Sequence, residues 1–304
     1  MNKFFIHVKK FSIEFARFVK YFLLRFNEEN VLTISSGIAF NILLCLIPFM
    51  VVITSVFGIF LQTSYANKHV EDLLGSLLPS QPYAAEIKKY IEKLFFDIVR
   101  NRQRFGLYGL GILLWTAASL FGSIRRILNK IFSIKEVKTF IRKSIENIVL
   151  VIILGLLFLV ANVFTWVLRA AESFIAELTS DTAINIKVIS RSFPLITSYL
   201  AALTMFFIIN RYMPDKKIQP RVAFISALTT TSLWWIAGKI FAWYVATFHP
   251  FRQVYGAYTF LFVFLLWIYY SSMVFVIGVL VSHVYQMHFA SGSGKPAAVQ
   301  RPGK

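Results

Sequence analysis

The sequence predicts an all-α, polytopic membrane protein. Its six transmembrane helices follow an N-terminal amphipathic helix, and an extracytoplasmic helical hairpin lies between helices 1 and 2. Three observations carry this expectation. First, 57% of the 304 residues are hydrophobic and 17% aromatic, against 15% charged, a balance too apolar for a soluble domain of this length. Second, apolar runs recur, each long enough to cross roughly 30 Å of hydrocarbon as a helix of about 20 residues. Third, 32 Lys+Arg outnumber 14 Asp+Glu, and the cations concentrate in alternate links between the runs, the pattern that sets orientation in a bilayer. The lone cysteine, Cys45, sits inside an apolar run, so no intrachain disulfide forms.

Residues 1–30 carry the amphipathic helix. Phe4, Val8, Phe11, Phe15, Phe18 and Phe22 recur at spacings of three and four, which places them on one helical face, with Lys3, Lys10, Arg17 and Lys20 elsewhere. Two readings stand: the rings enter the acyl boundary while the cations meet headgroups, or the stripe packs against the bundle. The membrane domain spans 31–286, and 287–304 form a disordered cytoplasmic tail with Gly, Ser and Pro. Crossing one, about Leu32 to Leu61, puts Gly37, Asn41, Cys45 and Pro48 on one arc. An amide and a helix-breaking Pro at membrane depth need neighbouring helices or water in a cavity.

The hairpin occupies 62–104, with a short helix from Asn67 ended by Pro79 and Pro82, then an amphipathic helix bearing both signs of charge. That mixture argues against a nucleic-acid stripe. Crossing two, about Phe105 to Leu128, carries Gly111, Trp115, Ala118, Gly122, Arg125 and Asn129 on one narrow face. The small residues there are expected to allow close helix approach. Crossing three, about Ile145 to Leu168, and crossing four, about Ser192 to Asn210, flank an acidic link with Glu172, Glu177 and Asp181. Crossings five and six lie between Thr229 and Ser282, separated by His249-Pro250-Phe251-Arg252. The short links then place both termini in the cytoplasm.

Lys239 is the first site candidate, because a charge well inside an apolar run costs on the order of 3 kcal/mol on insertion scales. It shares a helical face with Ser232, Trp235 and Trp243. A cation flanked by indoles suits an anionic lipid phosphate, and Asn41, Arg125 and Asn129 extend a candidate polar path. The competing reading is that Lys239 snorkels to headgroups beside a belt tryptophan. His7, His69, His249, His283 and His288 lack metal-ligand spacing, Asp215 and Glu136 read as isolated acids, and no phosphate loop or nucleophile elbow occurs. No metal, cofactor or catalysis is therefore expected.

The chain resembles the YihY/BrkB family of bacterial inner-membrane proteins. The likeness rests on Ala39-Phe40 with Pro48, Leu128-Asn129-Lys130-Ile131-Phe132, Tyr212-Met213-Pro214-Asp215, Gly238-Lys239, Phe241, Trp243-Tyr244, Tyr255-Gly256, Leu266-Trp267-Ile268-Tyr269 and Gly278. The resemblance implies six transmembrane helices in a bacterial inner membrane and links to envelope integrity and serum resistance, with no settled activity. An older label, ribonuclease BN, is regarded as a misassignment. Family members often follow the last glycine with Ala-Glu, whereas Val279-Leu280 follow Gly278 here, so no acid at that place can pair with Lys239. The expected function is transport or handling of an anionic lipid or small molecule without ATP hydrolysis of its own. The alternative is a noncatalytic envelope scaffold whose partner surface is the segment from Asn67 to Arg104. The expected partners are anionic membrane lipids, and no nucleic acid.

Overall fold

The computed structural model describes residues 16–60, 93, 97, 100–135, 138–178, 183–247 and 258–287. All the regular structure among them is helical. Residues 16–28 form α1, followed by α2 (Val31–Phe60), α3 (Arg102–Ile131), α4 (Phe140–Leu178), α5 (Ala183–Tyr212), α6 (Pro220–Thr247) and α7 (Tyr258–Tyr285). The polytopic all-α expectation holds. Most of the hairpin, the His249 turn and the tail lie outside the described residues, as do Phe4, Val8, Phe11 and Phe15 of the aromatic stripe.

Helix ends follow local chemistry. Asn30 adopts φ 53° between α1 and α2, a left-handed conformation that Asn tolerates better than most residues. Its N–H bonds the Asn27 carbonyl at 3.1 Å, while its own carbonyl accepts from Ile34 at 3.0 Å, so one residue closes α1 and opens α2. Ser133, at φ 52°, ends α3 in the same way. The Ile134 N–H returns to the Asn129 carbonyl at 2.8 Å, the long closing bond of a Schellman-type cap. Pro220 starts α6 at the position where its missing N–H costs nothing.

Five helical stretches are long and apolar enough to cross a membrane: Val31–Val56, Gln103–Ile131, Ile141–Val167, Pro194–Tyr212 and Leu261–Tyr285. The 28 residues of α6 give ample length. Its Thr229-Thr230-Thr231-Ser232 run and its two cations, Arg221 and Lys239, dilute the hydropathy, and it falls outside those five. Helices also outrun the apolar segments expected from sequence. α4 continues to Leu178, so Glu172 and Glu177 sit on a helix rather than in a link. α5 starts at Ala183 and carries Pro194 inside it.

Two compact units divide the chain. The first comprises Met1–Ile34, Ile124–Ile236 and Met273–Lys304; the second comprises Ser35–Ser123 and Ala237–Ser272. In the first, Leu128, Met213, Val222, Ala227, Val276, Val279, Leu280 and Val284 are buried. There Gly278 meets α6 so closely that a Cβ would lie 3.0 Å from the Cα of Thr230. Phe18, Phe22 and Phe26 of α1 are half-buried, whereas Val19, Leu23 and Leu24 are exposed. Within the described part of the aromatic stripe, Phe18 and Phe22 are partly covered, and a second apolar face turns outward. Glu29 links α1 to α3 through an ion pair with Lys130 at 3.2 Å.

In the second unit, the close approach expected at Gly111 and Trp115, at one end of the small-residue face of crossing two, is corrected. A Cβ on Gly111 would meet nothing within 4 Å, and Trp115 is 76% exposed. The close approach instead uses Gly106, 3.2 Å from the Ser55 Cβ, and Gly109, 3.0 Å from Val51 Cγ1. These two residues lie on a different face of α3, the one that meets α2. Exposed large side chains such as Trp115, Trp166, Leu107 and Ile47 are what a lipid-facing surface requires, since hydrocarbon gives apolar groups no reason to hide.

Candidate functional site

The most elaborate polar arrangement among the described residues gathers where α3 ends, α4 begins and α5 hands over to α6. Arg125 and Asn129 are one helical turn apart on α3, hence on one face, and are only 2% and 3% exposed. The Arg125 Nε and Nη2 both donate to Asn147 Oδ1, at 3.1 and 2.8 Å. Its Nη1 donates to Glu146 Oε2 at 2.9 Å and to Asp215 Oδ1 at 3.2 Å. A guanidinium suits this task because its planar fork reaches several oxygens at once.

Further contacts lock the acids in turn. Lys138 Nζ donates to Glu146 Oε2 at 2.7 Å, and Arg142 Nε to Oε1 at 3.3 Å. The Asp215 backbone N–H donates to Asn129 Oδ1 at 3.0 Å, and Lys143 Nζ lies 3.5 Å from Asp215 Oδ2. With its side chain 1% exposed, Asp215 is a buried carboxylate whose charge is met by Arg125 and Lys143. Four cations and two carboxylates thus tie three chain segments together, leaving the cluster net positive. Chemically it is an interlock: every Arg125 donor group, Nε, Nη1 and Nη2, is engaged by the chain's own groups.

The structure brings Arg125 and Asn129 together, as their spacing predicts, and adds Asp215, Glu146 and Asn147, which sequence reasoning missed. Asp215 is not an isolated acid. The available signal was Arg125 itself, since a buried cation on an apolar helix calls for a carboxylate. The remaining candidates stand elsewhere. Asn41 donates to its own helix at Gly37 O, 2.8 Å, and to Ser123 Oγ at 3.3 Å. Ser232 shares a 2.8 Å hydrogen bond with the Tyr199 hydroxyl. Lys239 is exposed, between Trp235 at 50% and Trp243 at 65% exposure, and the helix is continuous through all three.

A cavity of about 370 Å³ opens between α4 and α5 in the first unit. Ala201, Ala202, Met205 and Phe206 form part of its wall. Two of its polar residues are already satisfied locally: Asn162 donates to the Phe158 carbonyl at 2.7 Å and Thr165 to the Ala161 carbonyl at 2.8 Å. Such walls favour hydrocarbon over a polar solute. Among the described residues, no three His, Cys, Asp or Glu side chains converge as a metal ion would require.

Comparison with known proteins places this arrangement in context. The profile of a family described as virulence factor BrkB matches residues 22–302. A UPF0761 membrane protein of Pseudoalteromonas atlantica is 25% identical over 276 residues, covering 90% of this chain and 87% of that protein. A protein of Bacillus subtilis named as ribonuclease-like, YfkH, is 26% identical over 267 residues, covering 86% and 92%. A UPF0761 membrane protein of Kangiella koreensis is 25% identical over 265 residues, 87% of this chain and 62% of its own length. No solved structure matches.

Proposed function

Because this chain belongs to the virulence factor BrkB family of membrane proteins, we propose that it handles an anionic lipid or small anionic amphiphile, without hydrolysing ATP itself. The observation that carries this reading is Lys239, exposed on α6 between two exposed indoles. A lipid phosphate meets the ammonium there while Trp235 and Trp243 lie against its glycerol and upper acyl groups. Arg125 and Asn129 act as the interlock rather than as a path, since the Arg125 donors are engaged within the chain.

Lipid movement in proteoliposomes tests this. Wild-type protein is expected to move a fluorescent phosphatidylglycerol between leaflets faster than protein-free vesicles, and Lys239→Ala to slow it several-fold. Wild-type rates equal to those of empty vesicles would reject lipid transport and leave the scaffold reading, which draws on the fully engaged Arg125. Wild-type movement undiminished in Lys239→Ala would reject Lys239 as the site.

The proposed setting is the bacterial inner membrane, with α6 as the fifth of six crossings and both termini cytoplasmic. Lys138, at the cluster between α3 and α4, then faces the cytoplasm. In a Cys45→Ala background, Lys138→Cys is expected to resist a membrane-impermeant maleimide in intact cells and to react after permeabilisation. Labelling of intact cells overturns the orientation.

A further inference from the structure

The cavity between α4 and α5 is drawn out along α5. Ala161 of α4 and Ala201 and Ala202 of α5 line it, and side chains this short leave the space between the two helices unfilled. Its α5 wall runs from Thr197 to Ile209, about 18 Å at 1.5 Å per residue. That is the reach of an extended acyl chain. The α4 and α5 walls lie inside the membrane-crossing stretches Ile141–Val167 and Pro194–Tyr212. Two lining residues, Phe158 and Trp234, are 57% and 39% exposed, so the groove is open at the side, and in a bilayer what reaches it there is hydrocarbon.

One end of this groove carries positive charge. Met205, Ile209 and Tyr212 follow at spacings of four and three, one stripe of α5, and helix side chains lean toward the N-terminus, so Tyr212 leans back toward Ile209. Tyr212 also ends its membrane-crossing stretch, the level at which phenol rings meet headgroups. Around its ring, which is 45% exposed, two cations gather: Arg211 Cζ lies 5.6 Å and Lys217 Nζ 5.7 Å from the ring centre. Arg211 is fixed there by donating from Nη1 to the Ile218 carbonyl at 2.8 Å. Asp215 is the one acid between Arg211 and Arg221, and Arg125 and Lys143 take it. Unlike Arg125, neither Arg211 nor Lys217 pairs with an acid among the described residues.

We propose that the groove and the Arg211, Tyr212 and Lys217 cluster together hold one anionic glycerophospholipid, its phosphate at the two cations and one acyl chain along α5. The chemistry of the two ends selects this ligand. A soluble anion would meet the cations but has no use for an apolar slot that opens on hydrocarbon. A purely apolar guest would fill the slot and leave the cations unanswered. A zwitterionic lipid brings an ammonium group to a place where the nearest acid in sequence, Asp215, is already engaged. Basic clusters at the ends of membrane helices suit anionic headgroups. The site belongs to the first unit, does not include Lys239, and stands whether or not lipid crosses the membrane. A lipid held there fills the space that the alanines leave between α4 and α5.

Native mass spectrometry of the full-length protein tests this, with phosphatidylglycerol and phosphatidylcholine of identical chains added after delipidation. Measuring in a Lys239→Ala background removes the other proposed lipid contact, so the two ideas fail separately. One phosphatidylglycerol is expected to be retained several-fold more strongly than phosphatidylcholine. Lys217→Glu is expected to abolish that preference; Lys217 is exposed, and the Arg211 bond to Ile218 is untouched. Ala201→Phe, which fills the groove, is expected to weaken phosphatidylglycerol retention several-fold. Should that variant fail to fold, Ser198→Phe, from an exposed lining position, takes its place. Equal retention of the two lipids, a preference that survives Lys217→Glu, or retention undiminished in the groove-filled variant each overturns the proposal.

Discussion

Arg125→Leu is expected to destabilise the protein by about 3–5 kcal/mol, the cost of breaking a buried ion pair by removing one partner. The loss is large because Asp215 stays buried, with Asn147 Oδ1 stripped of two donors and Glu146 of one. Arg125→Lys keeps the charge but replaces a planar fork with a single ammonium. It is expected to recover only part of the loss, because one nitrogen cannot span Asn147, Glu146 and Asp215 together. Thermal unfolding of the purified protein in detergent, with yield of monodisperse material as a second readout, measures both. Melting of Arg125→Leu within a degree or two of wild type would show that the cluster holds little together.

Gly278→Ala is the second large effect, at about 1–3 kcal/mol, the usual cost of overfilling a packed core. A Cβ there would stand 3.0 Å from both the Cα and Cβ of Thr230 and closer still to its hydroxyl oxygen. Part of the obstacle is backbone and cannot move aside. Thr230→Ala removes the hydroxyl while leaving the Cα and Cβ in place, so it should relieve only some of the strain. A double-mutant cycle is expected to give a coupling of about 0.5–3 kcal/mol, as for residues in direct contact. Additive melting shifts would mean that α6 and α7 simply move apart at this point. The glycine is needed for space rather than for its backbone freedom, since the residue sits within a regular helix.

Much of the chain was legible from composition and runs. The break at residue 30 was readable because a polar Asn-Glu-Glu-Asn stretch precedes an apolar run, and Asn30 does turn there. The Trp235, Lys239 and Trp243 face was readable because periodicity along a single helix needs no partner. Helix ends were less so. Apolar runs report where lipid begins, whereas α4 and α5 continue past them into polar sequence. Pro194 falls near the expected start of crossing four, yet α5 continues through it.

Class, helical content and the approximate reach of each membrane run thus follow from local chemistry: an apolar chain in lipid must satisfy its backbone within each segment, and the helix does so. Which face of each helix meets protein had to wait for the assembled fold. In hydrocarbon the outward and inward sides are both apolar, so nothing in the pattern told Gly109, packed on Val51, from Gly111, where a Cβ would meet nothing within 4 Å. The partners of Arg125 were hidden for a related reason. Asp215 lies 90 residues away along the chain, and a charge pair at that separation leaves no local periodicity. It exists only because the links at the ends of α3 and α5 fold onto the same place.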